Sequence, residues 1–373
     1  MEKSSMLFVG LDVHKDTIDI GVAESGREEV RHLGTIGGEL AAVDRALRKL
    51  ISAGHRLHVV YEAGPCGFVL YRHLLRQGIT VEIVSPSLIP KRPGDRIKTD
   101  RRDAMKLARL ARSGDLTPIV VPDASDEAVR DLLRARADIV RAQRTARHQL
   151  KALLLRNDIR YVGKTAWTAA HQRWLATVKL THPAQQITFQ EYVHAVAEAT
   201  ERIARFDRAI AEAVTTWRWR PVVEALCALR GIALLAAATL VAEIGAIERF
   251  GNPRQLMAYL GLIPSEYSSG PKRRQGAITK AGNTHARRIL IECAWLYRYP
   301  ARIAPILQKR MDKVSAEVRD IAWAAQVRLC ARFRRLGARK LPHNKIVVAI
   351  ARELIGFIWA IARIQPPLAS VPH

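Results

Sequence analysis

The chain has 373 residues, with 60 Lys and Arg against 35 Asp and Glu, a formal net charge of +25 and 49% hydrophobic residues. That length exceeds one typical domain and leaves apolar content for more than one core, while so large a cation excess selects polyanionic partners, nucleic acid first and membrane surfaces second. Cys66, Cys227, Cys293 and Cys330 are too scattered for a paired zinc motif and too few for a disulfide framework, which fits a reducing cytosol. The opening residues carry no leader pattern and the charge-free apolar segment 231–242 is too short to span a bilayer, so a soluble cytoplasmic protein, with no membrane partner, is expected.

Residues 6 to about 115 alternate strand and helix signals. MLFVGLDV, TIDIGVAE and EVRHLGTI read as three successive strands. ELAAVDRALRKLISAG follows at helical spacing with a terminal Gly54, then LHVVYEA as a strand, FVLYRHLLRQG as a helix and TVEIVSP as a fifth strand. A further helix is predicted over 100–113. Three meandering strands followed by strand–helix repeats is the order of the ribonuclease H-like fold, and also of the actin and sugar-kinase superfamily. The kinase reading needs Gly-rich phosphate loops after the first strands, and GLDVHKDT offers none.

The middle of the chain reads as helical. In 126–158, Val129, Leu132, Ile139, Ala146, Leu150 and Leu153 lie near a heptad seam that Arg136 and Gln143 interrupt; in 192–217, Val193, Val196, Ile203, Ile210, Val214 and Trp217 repeat at similar spacing. Two such helices joined by roughly 30 residues predict an antiparallel hairpin or coiled-coil arm. The connection, containing GKTAW and THPAQQ, shows no regular pattern. Arg130, Arg134, Arg136, Arg141, Arg144, Arg147, Lys151 and Arg156 outnumber Asp131 and Asp138, so this helix is either a solvated face or a phosphate-tracking surface. Trp217 and Trp219 stack on bases or pack at the arm's end.

From about 221 the chain is rich in small residues, with a Gly251-Asn252-Pro253 break between helices. A Gly between short helices can present backbone N–H groups to a phosphate, although small residues more often mean close packing. Residues 268–310 hold ten Lys and Arg against Glu292 alone, and 328–345 hold seven with no acid. The apolar run IVVAIARELIGFIWAI is expected to pack on this domain and the basic ARFRRLGARKLPHNK to contact nucleic acid.

Four acids carry the chemistry. Asp12 and Glu62 each close a short apolar strand, and Asp100 and Asp103 lie three apart at a helix start, on one face and favoured by the helix dipole. Packed together they repel unless a cation neutralises them, and oxygen-only ligands select Mg²⁺ or Mn²⁺. Two such ions can cut a phosphodiester. Asp16 and Asp19 read as turn and strand-surface residues. Ser268, Ser269 and Gly270 form a turn ahead of Lys272, Arg273 and Arg274, with Lys280, Arg287 and Arg288 beyond. A Ser-Ser-Gly turn is usually only a turn; next to these cations, a serine could attack a phosphate whose growing charge they stabilise.

DVHKDT, YEAGPCG and KTDRRDAMKLARL resemble the acidic N-terminal domain, described as DEDD or RuvC-like, of the insertion-sequence family 110 transposases. Residues 230–290, from RGIALLAAATLVAEIGAIERFGNPRQ to THARRIL, resemble that family's C-terminal domain, with Ala233 standing where members often carry a second Gly. The resemblance covers nearly the whole chain. It implies an RNase H-like (RuvC-type) α/β domain over 1–118, a helical coiled-coil arm over 119–220 and a mainly helical transposase domain with a basic tail over 221–373. It also implies recombination of DNA, at element ends and target, guided by an element-encoded structured RNA. It further implies a homotetramer of paired dimers, in which the acids of one subunit meet the serine of another.

Carried onto this chain, Asp12, Glu62, Asp100 and Asp103 match the Mg²⁺-binding acids, and Ser269, with Ser268 as its rival, matches the nucleophile that forms a phosphoserine link to DNA. The arm would serve dimerisation and RNA binding, with Arg134, Arg141 and Arg144 joining Lys272, Arg273, Arg274, Lys280, Arg287 and Arg288 as nucleic-acid contacts. A nucleoid-associated bacterial enzyme is expected. The alternative is a Mg²⁺-dependent, structure-selective hydrolytic nuclease resembling a junction resolvase, which uses the acids and water only.

Overall fold

The structure, a computed structural model, describes residues 5–26, 29–90, 99–267 and 274–368. The chain forms two compact units, residues 1–121 and 122–373.

The first unit is a mixed α/β domain. Its strands are β1 (Met6–Val13), β2 (Thr17–Glu24), β3 (Val30–Gly37), β4 (Arg56–Glu62) and β5 (Thr80–Val84). Helix α1 (Leu40–Ser52) precedes β4, α2 (Val69–Arg76) precedes β5, and α3 (Asp100–Ser113) follows. The sheet order is β3-β2-β1-β4-β5, with β1–β2 and β2–β3 antiparallel and β1–β4 and β4–β5 parallel. Alternation puts Val9 and Leu11 of β1 with Ile18, Ile20, Val43, Leu47, Leu70 and Leu74 in a core on the α1 and α2 side. The other face carries Gly10, Gly21 and Asp12 and is covered by α3, whose Leu107 packs with Val60 and Val84.

Helix α3 can lie this low because two facing positions beneath it, Gly10 and Gly21, carry no side chain. Gly10 and Gly21 pair across β1 and β2. A Cβ on Gly10 would stand 2.2 Å from the Ala104 carbonyl oxygen, and one on Gly21 would stand 2.6 Å from the same backbone. Thr99 caps the helix by accepting from the Arg102 N–H at 3.3 Å, and Gly114 closes it in the left-handed conformation.

The second unit is mostly helical. α4 (Ala124–Arg156), α5 (Ala169–Thr177) and α6 (Pro183–Thr216) come first, then α7 (Arg220–Leu226), α8 (Leu234–Ile244) and α9 (Pro253–Tyr259). A two-stranded antiparallel ribbon, β6 (Pro264–Glu266) and β7 (Gln275–Ile278), precedes α10 (Thr284–Ala294), α11 (Pro305–Met311), α12 (Ala316–Ala338) and α13 (His343–Ile364). α4 and α6 form an antiparallel hairpin: Val129 and Leu133 share a core with Ile210 and Val214, while Leu150 and Leu153 meet Phe189 at the other end. The two polar residues on the seam are matched across it. Arg136 pairs with Asp207, and Gln143 Nε2 donates to Thr200 Oγ1 at 2.7 Å. The connection is more ordered than its sequence pattern shows, since it contains α5.

At the base of the hairpin, buried Asp126 accepts from the indole N–H groups of Trp217 at 2.7 Å and Trp219 at 3.1 Å, and is paired with Arg218. The two tryptophans therefore pack rather than stack on bases. α13 buries Ile346, Ile350, Leu354, Ile355, Ile358 and Ile361 against the core of this unit, as its sequence predicted. Gly231 is required by a φ of +86° and by the Cys293 carbonyl oxygen, which a Cβ would approach to 2.6 Å. Ala233 is extended, with φ −103° and ψ 176°, so the alanine there is accommodated without strain. Among the described residues no helix is long and apolar enough to cross a membrane.

Candidate metal centre

Strand β1 runs Leu11–Asp12–Val13 out of the sheet centre, and β4 runs parallel beside it with Leu11 opposite Tyr61. Asp12 and Glu62 therefore follow side by side at the same sheet edge and on the face that α3 covers. The N-terminus of α3 arrives at that edge with Asp100 and Asp103 in its first turn. The order of the chain thus delivers acids from β1 and α3 to one place, and the two glycines set how closely α3 can approach.

Asp12, His14 and Asp100 form the tightest group: their ligand atoms all lie within 4.8 Å of one another. His14 Nε2 stands 3.4 Å from Asp12 Oδ2 and 3.7 Å from Asp100 Oδ1. Glu62 and Asp103 are half-buried and stand outside that span. Asp103 nevertheless acts on Asp12 through charge. Burial pushes the Asp12 carboxyl above its usual range; His14 pulls it down, and Asp100 and Asp103 push it up again. A partly buried carboxylate facing two others needs positive charge to ionise fully, and a divalent cation supplies more of it than one imidazole does. The donor set fits such an ion: carboxylate oxygens suit Mg²⁺ and Mn²⁺, and the imidazole shifts the preference toward Mn²⁺.

His14 is absent from the acid-only reading of the sequence. Strand spacing gave no signal for it, because His14 lies one residue beyond the end of β1, where the period of two no longer fixes the side chain's face. Asp19 is a correction of a different kind. Expected on the strand surface, it is buried, lies directly opposite Asp12 in the ladder, and accepts from Thr35 Oγ1 at 3.0 Å while pairing with His32 Nε2 at 2.6 Å. A carboxylate there is satisfied by hydrogen-bond partners on the neighbouring strand β3.

In the second unit, β6 and β7 are joined by Tyr267 N–H donating to the Arg274 carbonyl at 2.9 Å. Ser268, Ser269, Lys272 and Arg273 lie outside the described residues. Arg274, Lys280, Arg141 and Arg144 are exposed, and Arg288 is half-exposed beside Glu292. Arg287 is withdrawn from the nucleic-acid-binding set: it is buried and donates to the carbonyls of Leu260 at 3.0 Å and Ala281 at 2.7 Å, tying the start of α10 to the preceding turn. Arg134 is engaged inside the fold as well. Its Nε and terminal nitrogen each donate at 2.8 Å to the buried Glu243, which also accepts from Asn283 at 2.6 Å. Burial alone would push the Glu243 carboxyl up, but these hydrogen bonds outweigh it and hold the pKa below its usual value.

Comparison with known proteins agrees along most of the chain. The family profile described as Transposase IS116/IS110/IS902 family matches residues 223–309, and an IS110-type DEDD transposase profile matches residues 9–157. A Sinorhizobium fredii protein named "Putative transposase y4qE" is 48% identical over 357 residues, spanning 95% of this chain and 88% of its own length. The transposase for insertion sequence element IS1533 of Leptospira borgpetersenii is 32% identical over 337 residues, 90% and 97% of the two chains. The transposase for IS1111A of Coxiella burnetii is 26% identical, covering 78% of this chain and 73% of its own.

Proposed function

The chain belongs to the IS110/IS116/IS902 family of insertion-sequence transposases, enzymes that cleave and join DNA, and from that premise we propose a two-part reaction centre in which the acidic edge of the first unit prepares a DNA phosphate for attack by Ser269. The observation that carries this reading is the convergence of Asp12, His14 and Asp100 at one sheet edge, with Asp103 close enough to raise the Asp12 carboxyl. The strand order β3-β2-β1-β4-β5 supports a RuvC-type, ribonuclease H-like assignment of the domain.

Asp12, Asp100, Glu62 and Asp103 would hold a divalent cation, Mg²⁺ or Mn²⁺, with His14 as a further donor. When bound, such an ion supplies Lewis-acid polarisation of the phosphoryl oxygens. Ser269 Oγ gives up its proton and bonds to phosphorus as the bond from phosphorus to a deoxyribose oxygen breaks. The second product is a free hydroxyl end, and attack by a hydroxyl end on the phosphoserine reverses the exchange and joins the strands without loss of phosphodiester energy. Arg274, Lys280 and Arg288, with Lys272 and Arg273, would hold the scissile phosphate and its neighbours.

A structured RNA encoded by the element would supply target choice by base pairing, so the protein needs cations for backbone and helical shape more than a groove reader. The net charge of +25 supports that division of labour. The three-part organisation over 1–118, 119–220 and 221–373, paired-dimer tetramers and a place in the bacterial cytoplasm beside the nucleoid complete the reading. Its test is strand cleavage of junction DNA by the purified chain with Mg²⁺ and that RNA. Cutting should be lost in Asp12→Asn, and cutting that persists at the wild-type rate in that variant would remove the acids from the chemistry.

A further inference from the structure

The far end of the α4–α6 hairpin holds a feature that the reaction does not use. A cavity of about 460 Å³ opens there, lined by Lys151, Leu155, Tyr161, Lys164, His171 and Trp174 among others. His171 is buried at 3% exposure inside an aromatic ring set: Tyr161 stands edge-on at 4.7 Å, Trp167 at 5.1 Å and Trp174 at 5.4 Å between centroids. Its Nδ1 has no hydrogen-bond partner among the described residues. A buried ring nitrogen left unpaired costs about 1–3 kcal/mol, so its persistence needs a reason.

Two further observations point the same way. Trp167 sits at φ +68°, a conformation that bulky residues adopt only when the surroundings impose it. Its ring is covered by Arg147 at 4.7 Å and Lys151 at 5.8 Å, and Lys151 is also part of the cavity wall. Gly163 stands against Tyr161: a Cβ there would meet the phenol ring at 2.4 Å. A tip that served only to close the hairpin would fill this space, yet Leu155 on its wall is 63% exposed.

Charge selects the occupant. From residue 147 to residue 179 there are seven Lys and Arg and one acid, Asp158, which Arg160 already engages at 3.1 Å. A second copy of this tip would meet like charge. An unpaired nucleotide meets aromatic rings for its base and lysines for its phosphate, and unpaired bases are what a folded RNA presents in its loops. We propose that the hairpin tip binds one unpaired nucleotide of an RNA loop, its base entering the cavity beside Tyr161, His171 and Trp174 and its phosphate lying against Lys151 and Lys164. This rests on the RNA-guided reading above for its biological partner but not for its chemistry.

The test uses the full chain carrying Asp12→Asn, without divalent metal, and an RNA hairpin of arbitrary sequence with 2-aminopurine in its loop. Stacking should quench the fluorophore. Ala166→Trp, which fills the cavity, should abolish the quenching and weaken loop-dependent binding about fivefold or more, the span expected for loss of one stacked base. Lys164→Ala alters only an exposed side chain; it should weaken binding and lower the salt dependence by about 0.7, one single-strand phosphate contact. Absence of quenching with the parent chain overturns the proposal, as does quenching unchanged in both variants or seen with a DNA hairpin alone. Because neither metal nor Ser269 takes part, failure of the cleavage reading leaves these outcomes untouched.

Discussion

Gly10 and Gly21 face each other across β1 and β2, and both look onto the backbone of Ala104 in α3. The pair sets the height of α3 above the sheet, and through it the distance from Asp100 to Asp12. Gly10→Ala must displace the Ala104 carbonyl, which a Cβ would approach to 2.2 Å. We predict destabilisation of the first unit by about 1–3 kcal/mol, the usual cost of overpacking, together with weaker Mn²⁺ binding. Thermal unfolding and Mn²⁺ titration by electron paramagnetic resonance check both; unchanged metal affinity in a destabilised variant would uncouple helix height from the site.

Much of this first unit was legible in the sequence. β1, β2 and α3 have the predicted bounds, because alternation and an N-terminal Thr cap are local signals. Of the four acids expected together, Asp12 and Asp100 meet, and their positions near a strand's end and at a helix start are local signals. The burial of Asp19 was not legible, because its hydrogen-bond partners, His32 and Thr35, come from a neighbouring strand that pattern alone does not register. Arg287 was misjudged as a surface cation for a similar reason: it is buried against a partner, Leu260, 27 residues away, while Arg134 stays part-exposed but is engaged by Glu243, 109 residues away. α5 escaped notice because it is short and buries only His171 and Leu175, too few positions to show a helical period.

Asp12 gives a pH prediction whose sign follows from its raised pKa. A group whose folded pKa exceeds its unfolded value favours the folded state at low pH, and that contribution is lost as pH rises through the folded pKa. The metal-free chain should therefore carry a destabilising charge at neutral pH. Asp12→Asn should raise the melting temperature of the first unit at pH 7 without metal, with a gain that vanishes toward pH 4. Mn²⁺ should then stabilise the parent chain and not the variant. A lower melting temperature for Asp12→Asn at pH 7 would contradict the account.

His14 should contribute to metal choice. Its Nε2 is 3.4 Å from Asp12 and 3.7 Å from Asp100, and imidazole is a better ligand for Mn²⁺ than for Mg²⁺. His14→Ala should weaken Mn²⁺ binding by at least the ~10-fold that loss of an outer ligand partner costs, with a smaller change for Mg²⁺. Calorimetric titration of the two ions separates the cases; an equal loss for both would make His14 a structural neighbour only.

Arg134 holds Glu243, whose side chain is 1% exposed while Arg134 remains 42% exposed. Removing one partner of a buried pair costs about 3–5 kcal/mol, and the exposure of Arg134 places Arg134→Ala near the lower figure. Adding Glu243→Gln should recover much of the loss by removing the stranded charge. Chemical denaturation of the single and double variants checks this, and a double variant no more stable than Arg134→Ala would count against it.

Arg334 and Arg335 are exposed on α12 within the seven-cation stretch 328–345. Reversing both charges should weaken nucleic-acid binding and flatten its salt dependence by about 0.9 per lost phosphate contact. Binding isotherms at several salt concentrations give the slope directly, and an unchanged slope would place the nucleic acid elsewhere.

A denaturing gel distinguishes chemistry divided between an acidic edge and a serine from hydrolysis by the acids alone. Purified chain, Mg²⁺, labelled DNA spanning the element junction and RNA transcribed from the element's non-coding flank are combined, for the parent, Ser269→Ala and Asp12→Asn. The account predicts a slow-migrating, protease-sensitive DNA species with the parent chain only, dependent on Mg²⁺ and RNA. Free cut ends without that species, persisting in Ser269→Ala, would contradict it and make the protein a hydrolytic nuclease that works through its acids alone.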